Sequence, residues 1–242
     1  LPITKHSYLV TRVEDIMPAM KEAFVLAKSG RPGPVLVDIT KDAQQAKIDW
    51  AWDPSPVKIR GYRPKLTVPQ SQILSAAELL AQSKRPVILA GQGIVQSGAM
   101  NEVRQFAERI NAPVAMTLLG LGGFPASHPL HIGMMGMHGE SWVNHAIQEA
   151  DLLIALGMRF DDRVTGNIKT YAVNAKKIHI DIDPSEINKN VRADAAIVAD
   201  LREALKDLLE VVKPADHDPW LKYIGSMKGT SAVHDIQSLP DN

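Results

Sequence analysis

The chain has 242 residues, long for one small domain and short for two full ones, and its 27 basic and 27 acidic residues cancel. That balance argues against nucleic-acid and membrane-surface partners, which call for a basic excess, while 45% hydrophobic residues suffice for a core rather than a disordered chain. The absence of cysteine excludes a disulfide scaffold, a thiolate zinc site and a cysteine nucleophile, and apolar runs such as 152–156 fall far below the roughly 20 residues of a membrane span.

Ile16, Met20, Phe24 and Ala27 recur at helical spacing and predict a helix between Glu14 and Ser29. Pro32-Gly33-Pro34 stops it, and Val35-Leu36-Val37 reads as a buried strand. The period then dissolves, and residues 47–67, with Pro54, Pro56 and Pro64 among scattered charges, read as a linker. Ile73, Ala77, Leu80 and Ala81 share a helical face ahead of strand Val87-Ile88-Leu89. Val103, Phe106, Ala107 and Ile110 mark the next helix, and Val114-Ala115-Met116 the next strand. Residues Leu118 to Gly139, rich in Gly, Met and His, have no period and read as a long functional loop. A short helix over Trp142 to Ile147 leads to strands at 152–156, 178–182 and 196–198, and Leu205, Leu208, Leu209 and Val212 mark the last helix.

Strands apolar throughout, separated by amphipathic helices, imply an α/β fold: a parallel sheet flanked by helices on both faces, Rossmann-like without the dinucleotide fingerprint. Right-handed crossovers put the strands' carboxyl ends on one edge, where ligands bind. This domain is expected over 68–213. Residues 1–46, with one helix and one strand, are too few for an independent core. Residues 214–242, with Pro214, Pro219 and Pro240, read as a second linker. With no secretory h-region at its start, the chain reads as the soluble middle of a longer cytoplasmic protein.

Gly91-Gln92-Gly93 follows a strand where a dinucleotide fingerprint would begin, but position 96 is Gln and no acidic residue ends a strand about 20 residues on. A tight turn and close backbone approach to a phosphate both remain readings of it. His128, His131 and His138 match no common metal spacing, and the methionines and glycines around His138 suit a flat aromatic ligand better than an ion; no metal site is expected. Gly157-Met158-Arg159-Phe160-Asp161-Asp162-Arg163 follows the most apolar strand. Arg159 is either a phosphate clamp or half of a local Asp–Arg pair, and the adjacent aspartates point apart, unlike an acid–base dyad. Asp181, near the end of an apolar strand, needs either a ribose hydroxyl or backbone amides as partner. Asp183-Pro184-Ser185-Glu186 reads as the capped start of a helix.

Five segments together carry a resemblance. Gly30-Arg31-Pro32-Gly33-Pro34-Val35-Leu36-Val37-Asp38 with Lys41, Thr117-Leu118-Leu119-Gly120-Leu121-Gly122, Met135-Gly136-Met137-His138-Gly139, Arg159-Phe160-Asp161-Asp162-Arg163-Val164-Thr165-Gly166 and His179-Ile180-Asp181-Ile182-Asp183 occur in this order. The sequence thereby resembles the acetohydroxyacid synthase (acetolactate synthase) large-subunit family of thiamine-diphosphate enzymes, over nearly its whole length and fading after about 213. The resemblance implies three domains: one binding the thiamine pyrimidine, a central one holding FAD, and one binding the diphosphate through Mg²⁺. Residues 1–46 correspond to the end of the first, 47–67 to a linker, 68–213 to the whole of the second, and 214–242 to a linker toward the third. The thiamine-activating glutamate of the family then lies before Leu1 and the Gly-Asp-Gly metal motif is missing, so the chain alone is expected to be inactive. Carried over by position, FAD contacts fall on Arg31, Gly91, Gln92, Gly93, Thr117, Leu118, Met135, Gly136, Met137, His138, Gly157, Met158, Arg159, Phe160, Asp161, Asp181, Ile182, Asp200 and Leu201. Lys41, Met137 and Arg163 match positions lining the substrate channel.

The activity so implied decarboxylates pyruvate and joins the remaining two-carbon unit to a second 2-oxo acid, in branched-chain amino-acid biosynthesis. Another thiamine enzyme, such as a glyoxylate carboligase or a 2-oxo acid decarboxylase, and a non-catalytic nucleotide-binding module are the alternatives. The resemblance further implies a homodimer or homotetramer of the full-length chain, a small regulatory subunit, and a cytoplasmic location in bacteria or a plastid or mitochondrial one in eukaryotes.

Overall fold

The computed structural model describes residues 3–64 and 67–228. Lys65 and Leu66 of the first expected linker, and residues 229–242 of the second, lie outside the described residues. The chain divides into two compact units, Leu1–Lys65 and Leu66–Asn242.

In the first unit, strand β1 (His6–Val10), helix α1 (Val13–Lys28), strand β2 (Val35–Ile39) and the short helix α2 (Lys41–Gln45) follow one another. β1 pairs parallel with β2, from His6 opposite Val35 to Val10 opposite Ile39. The sequence points to a single strand here. β1 escapes it because only Val10 of its five residues is buried, so pairing with β2 rather than an apolar pattern defines it. α1 buries Ala19, Ala23 and Leu26, and its end is held by Lys5, whose Nζ donates to the carbonyls of Leu26 and Ser29. Segment 47–64 lies along this unit: Lys21 Nζ donates to the Asp53 carbonyl at 2.6 Å and sits 5.4 Å from the Trp52 ring, and Tyr62 meets Ser29.

Leu9, Phe24 and Leu36 are exposed in this unit, which leaves its sheet and helix thinly covered. Amide exchange is accordingly expected to be faster at Phe24 and Leu36 than at Leu89 and Ile154 of the second unit. Equal protection in a monomer, read by exchange mass spectrometry, would contradict this.

The second unit contains α3 (Gln70–Gln82), β3 (Pro86–Ala90), α4 (Gly93–Gln96), α5 (Met100–Arg109), β4 (Val114–Met116), β5 (His131–Met134), α6 (Ser141–Glu149), β6 (Leu152–Leu156), α7 (Asp162–Thr165), β7 (Lys176–Asp181), β8 (Ala195–Val198), α8 (Leu201–Val211) and α9 (Asp218–Met227). Its six strands form one sheet in the order β5-β4-β3-β6-β7-β8, every neighbouring pair parallel. Renumbered within this unit, that is the 3-2-1-4-5-6 order of dinucleotide-binding sheets. β3 and β6, at the centre, are buried at every residue, as their unbroken apolar runs require. Ile88, Ile154 and Ile178 face the layer built by α3, α5 and α8, whereas Val87, Leu89, Leu153 and Ala155 face that built by α6 and α9. Each such buried aliphatic side chain contributes roughly 1.5–3 kcal/mol relative to exposure. Among the described residues no helix is long and apolar enough to cross a membrane.

Three stretches of the second unit differ most from the sequence expectations. The stretch 118–139 is not all loop: a 3₁₀ turn at Leu118–Gly120 and strand β5 interrupt it. β5 contains Gly133 at φ +107 and pairs with β4 through a register shift, so neither propensity nor alternation announces it. At Asp183 no α-helix forms. Asp183 Oδ1 accepts from Ser185 N and Oγ at 2.9 and 2.7 Å, as a cap would, but Asn188 is left-handed at φ +60 and ends the turn. Part of the expected second linker is helix α9, in which Trp220 and Ile224 are buried and Trp220 Nε1 donates to the Pro86 carbonyl at 3.0 Å. Two apolar residues one turn apart are too short a period to read as a helix beforehand.

Candidate functional site

The carboxyl ends of all six parallel strands lie on one edge, and the chain leaves β3 and β6 toward opposite halves of the sheet. A crevice opens at such a switch point. There Gly91 N donates to the Leu156 carbonyl at 2.9 Å and Gly93 N to that of Gly157 at 3.0 Å. A Cβ on Gly91 would fall 2.2 Å from Gly157 O, and one on Gly93 2.6 Å from Gly157 Cα; Gly157 itself has φ +59. The mutual approach of two backbones thus already requires these glycines, and it leaves bare main chain at the mouth of the crevice. Gln92 is exposed between them.

After β4, Thr117 N donates to the Ala90 carbonyl at 3.0 Å, and Thr117 Oγ1 accepts from Gly120 N at 3.1 Å. The turn so held exposes Leu118, Leu119 and Leu121 as an apolar rim. After β5, Met135 enters the core, whereas Met137 is 60% exposed and His138 is exposed. After β6, Met158 and Phe160 are buried and Arg159 points outward, its Nε 3.2 Å from Asp161 Oδ2. Asp161 also caps α7, its Oδ1 accepting from Arg163 N and Val164 N at 3.1 and 3.2 Å. Asp181 ends β7 and its Oδ1 accepts from Asp183 N at 2.9 Å; Ile182, half-buried, follows. After β8, Asp200 caps α8 through Arg202 N at 3.0 Å, and the side chain of Leu201 is buried in the core.

The β6 exit is held from beneath. His179 is fully buried, and its Nε2 donates to the Met158 carbonyl at 2.8 Å. Burial pushes its pKa below the ordinary imidazole value, which keeps the ring neutral. Phe160, left-handed at φ +49, meets the rings of His179 and Tyr171 edge-on, and Asn190 Nδ2 donates to the Phe160 carbonyl at 3.1 Å. Neither Asn190 nor Asn144, which contacts Gly136, stands out in the sequence, because a single Asn on a helix or turn carries no spacing signal.

Each of the six strand exits in the second unit therefore carries segments singled out from the sequence. Met137 and Arg163 are brought together, with Met137 N donating to the Arg163 carbonyl at 2.8 Å and Arg163 Nη1 3.6 Å from Met137 Sδ. Arg31 and Lys41 belong to the first unit, in the turn after α1 and at the start of α2. The three loop histidines do not gather. His128 pairs with Glu108 at 3.0 Å, and it and His131 flank Phe124, ahead of and at the start of β5, while His138 lies past its end. Among the described residues no group of three or more His, Asp or Glu is arranged as metal donors. An open cavity of about 620 Å³ lies at the opposite, amino edge, lined by Glu108, Asn111, His128, Asp218 and Lys222 among others. Within it His128 pairs with Glu108 and Asn111 with Asp218, each at 3.0 Å.

The carboxyl edge carries groups that could hold a flavin dinucleotide. Glycine-lined backbone admits a pyrophosphate, the Arg159 guanidinium supplies a cation, the Asp181 and Asp200 carboxylates lie at strand ends where sugar hydroxyls bind, and exposed Leu118 and Met137 present apolar surface to a flat ring.

Comparison with known proteins agrees with this architecture. The family described as "Thiamine pyrophosphate enzyme, central domain" matches residues 73–208, more than half of the chain. The probable acetolactate synthase large subunit of Methanocaldococcus jannaschii is 48% identical over 236 residues, which are 96% of this chain and 40% of that protein. The acetolactate synthase large subunit of Corynebacterium glutamicum is 48% identical over 233 residues, 94% of this chain and 37% of that one. Among solved structures, a putative thiamin diphosphate-dependent enzyme from Mycobacterium smegmatis superposes with a TM-score of 0.71 at 27% identity, over 89% of this chain and 40% of that one. The chain spans about two fifths of the length of the curated relatives it matches. With its six-stranded parallel sheet and its match across the central domain, the chain belongs to the thiamine pyrophosphate enzymes and is a homologue of the acetolactate synthase large subunit.

Proposed function

We propose that this chain is the FAD-holding central part of an acetolactate synthase, an enzyme that decarboxylates pyruvate and joins the two-carbon remainder to pyruvate or 2-oxobutanoate. The observation that carries the reading is the convergence of glycine-lined backbone, Arg159 and Asp181 on one sheet edge, in a homologue of that enzyme's large subunit. In the full-length enzyme, thiamine diphosphate with Mg²⁺ supplies the carbanion and electron sink for the carbon–carbon chemistry, and FAD is structural.

The chain's own residues bind and orient. The backbone at Gly91 to Gly93 and Gly157 receives the pyrophosphate, with Arg159 neutralising its charge. Asp181 accepts from a ribose or the adenine edge, and Asp200 with the backbone of Ile182 and Leu201 completes that side. Thr117, Leu118 and Met135 to His138 enclose the ring, and Met158, Phe160 and Asp161 hold Arg159 in place. Arg31 is assigned to the same cofactor on the resemblance alone. Met137 and Arg163, and independently Lys41, are assigned to the path of the 2-oxo acids, whose carboxylates call for cations. The full-length enzyme is assigned a homodimeric or homotetrameric state and a small regulatory subunit.

Titration of FAD into the chain tests the reading. Saturable binding is expected for the parent, and binding weaker by roughly tenfold to a hundredfold for Arg159→Ala and Asp181→Ala, the usual effect of deleting a charged hydrogen-bonding group. Glu203→Ala, which removes an exposed carboxylate ion-paired with Lys206, serves as the control and should match the parent. If both site variants bind as tightly as the parent, the assigned roles are wrong.

A further inference from the structure

We propose that Asn144 is a positioning residue, which holds Gly136 and through it the Met137–Arg163 side of the flavin site; the inference rests on the FAD reading above. Asn144 sits on α6, whose Trp142, Val143, Ala146 and Ile147 are buried, so its base is anchored. Its side-chain amide meets both polar groups of one residue: Oδ1 accepts from Gly136 N at 2.9 Å, and Nδ2 donates to the Gly136 carbonyl at 2.9 Å. The orientation of the amide is unambiguous, because the N–H can only donate and the carbonyl only accept. Asn144 thus acts as a one-residue strand laid against the exit of β5.

Gly136 needs such a partner. It is left-handed at φ +95, and a Cβ there would lie 2.5 Å from the Arg163 carbonyl, so a side chain is barred and glycine's conformational freedom comes with the position. The two bonds from Asn144 remove that freedom at the point where β5 turns toward Met137. The next link is direct: Met137 N donates to the same Arg163 carbonyl at 2.8 Å, and Arg163 Nη1 reaches Met137 Sδ. Asn144 therefore orients the thioether and the guanidinium by way of the Gly136 backbone. An asparagine in the interior of a helix is a poorer helix former than alanine, so α6 itself gains nothing from having it there.

The test uses the full chain, with Asn144→Ala and, on the exposed side of the same helix, His145→Ala as control. FAD affinity, the visible circular dichroism of the flavin at saturating FAD, and amide exchange at Gly136 and Met137 are measured together. Asn144→Ala is expected to bind roughly tenfold more weakly, to change the dichroism of the saturated flavin, and to lose protection at Gly136 while Leu153 and Ala155 keep theirs. His145→Ala should superimpose on the parent. A merely structural role would lower the melting temperature and leave the saturated spectrum unchanged, so an unchanged spectrum overturns the proposal. Should Asn144→Ala fail to fold, Asn144→Asp, which keeps the acceptor and loses the donor, is read by the same criteria. Absence of saturable FAD binding by the parent overturns the FAD reading and this inference together; parent binding matched by the variant overturns this inference alone.

Discussion

Incubated with pyruvate, thiamine diphosphate, Mg²⁺ and FAD, the chain is expected to form no acetolactate above a protein-free blank. The expectation rests on its spanning about two fifths of the length of its curated acetolactate synthase relatives. Enzymes of ordinary efficiency accelerate their reactions by about a millionfold or more, so losing the groups that act on the cofactor removes effectively all turnover. A discontinuous assay for acetolactate over hours checks this, and cofactor-dependent product clearly above the blank would overturn it.

Substitution at the switch point is expected to have the largest effect on stability. In Gly91→Ala the new Cβ would meet Gly157 O at 2.2 Å and Gly157 C at 2.8 Å, and both are backbone atoms held by the central strands β3 and β6. Neither neighbour is the end of a flexible side chain, so the loops must part or the sheet must shift. Overpacking of this kind, at a rigid site, costs roughly 3 kcal/mol or more. Gly98→Ala provides the contrast. Gly98, unlike Gly91, is left-handed, at φ +66, but nothing lies within 4 Å of its Cβ position, so only the backbone penalty of roughly 1–2 kcal/mol applies. For a chain of this size the first change lowers the melting temperature by about 10 °C and the second by only a few degrees. Equal melting of the two variants would show that the β3 and β6 exits do not approach as described.

Much of the central unit was legible beforehand, and for one reason. β3 and β6 are apolar along their whole length, and α5 and α8 carry apolar residues at helical spacing, because a central strand is covered on both faces and a helix on one. Burial on that scale writes itself into composition and period. It follows that the strands are parallel, that their carboxyl ends share an edge, and that the segments after them, Gly91 to Gly93 and Gly157 to Asp161 among them, face the same crevice. Gly91-Gln92-Gly93 fails the dinucleotide fingerprint, yet it occupies the turn after the first strand of a 3-2-1-4-5-6 sheet, the place that fingerprint marks.

The sequence by itself thus determined the α/β class, the parallel sheet and the edge on which the candidate site lies. Only the tertiary structure decided the elements whose stability comes from a partner distant in the chain. β1 exists because β2 pairs with it, β5 because β4 does despite its glycine, and α9 because Trp220 finds the Pro86 carbonyl and the apolar layer around α6. The same holds in reverse at Asp183, where local capping residues are present but a left-handed Asn188 ends the turn. In the site, Asn144 and Asn190 belong to this second class. A polar side chain that holds another segment's backbone leaves no period and no spacing in its own, since the bond that gives it meaning is made across space.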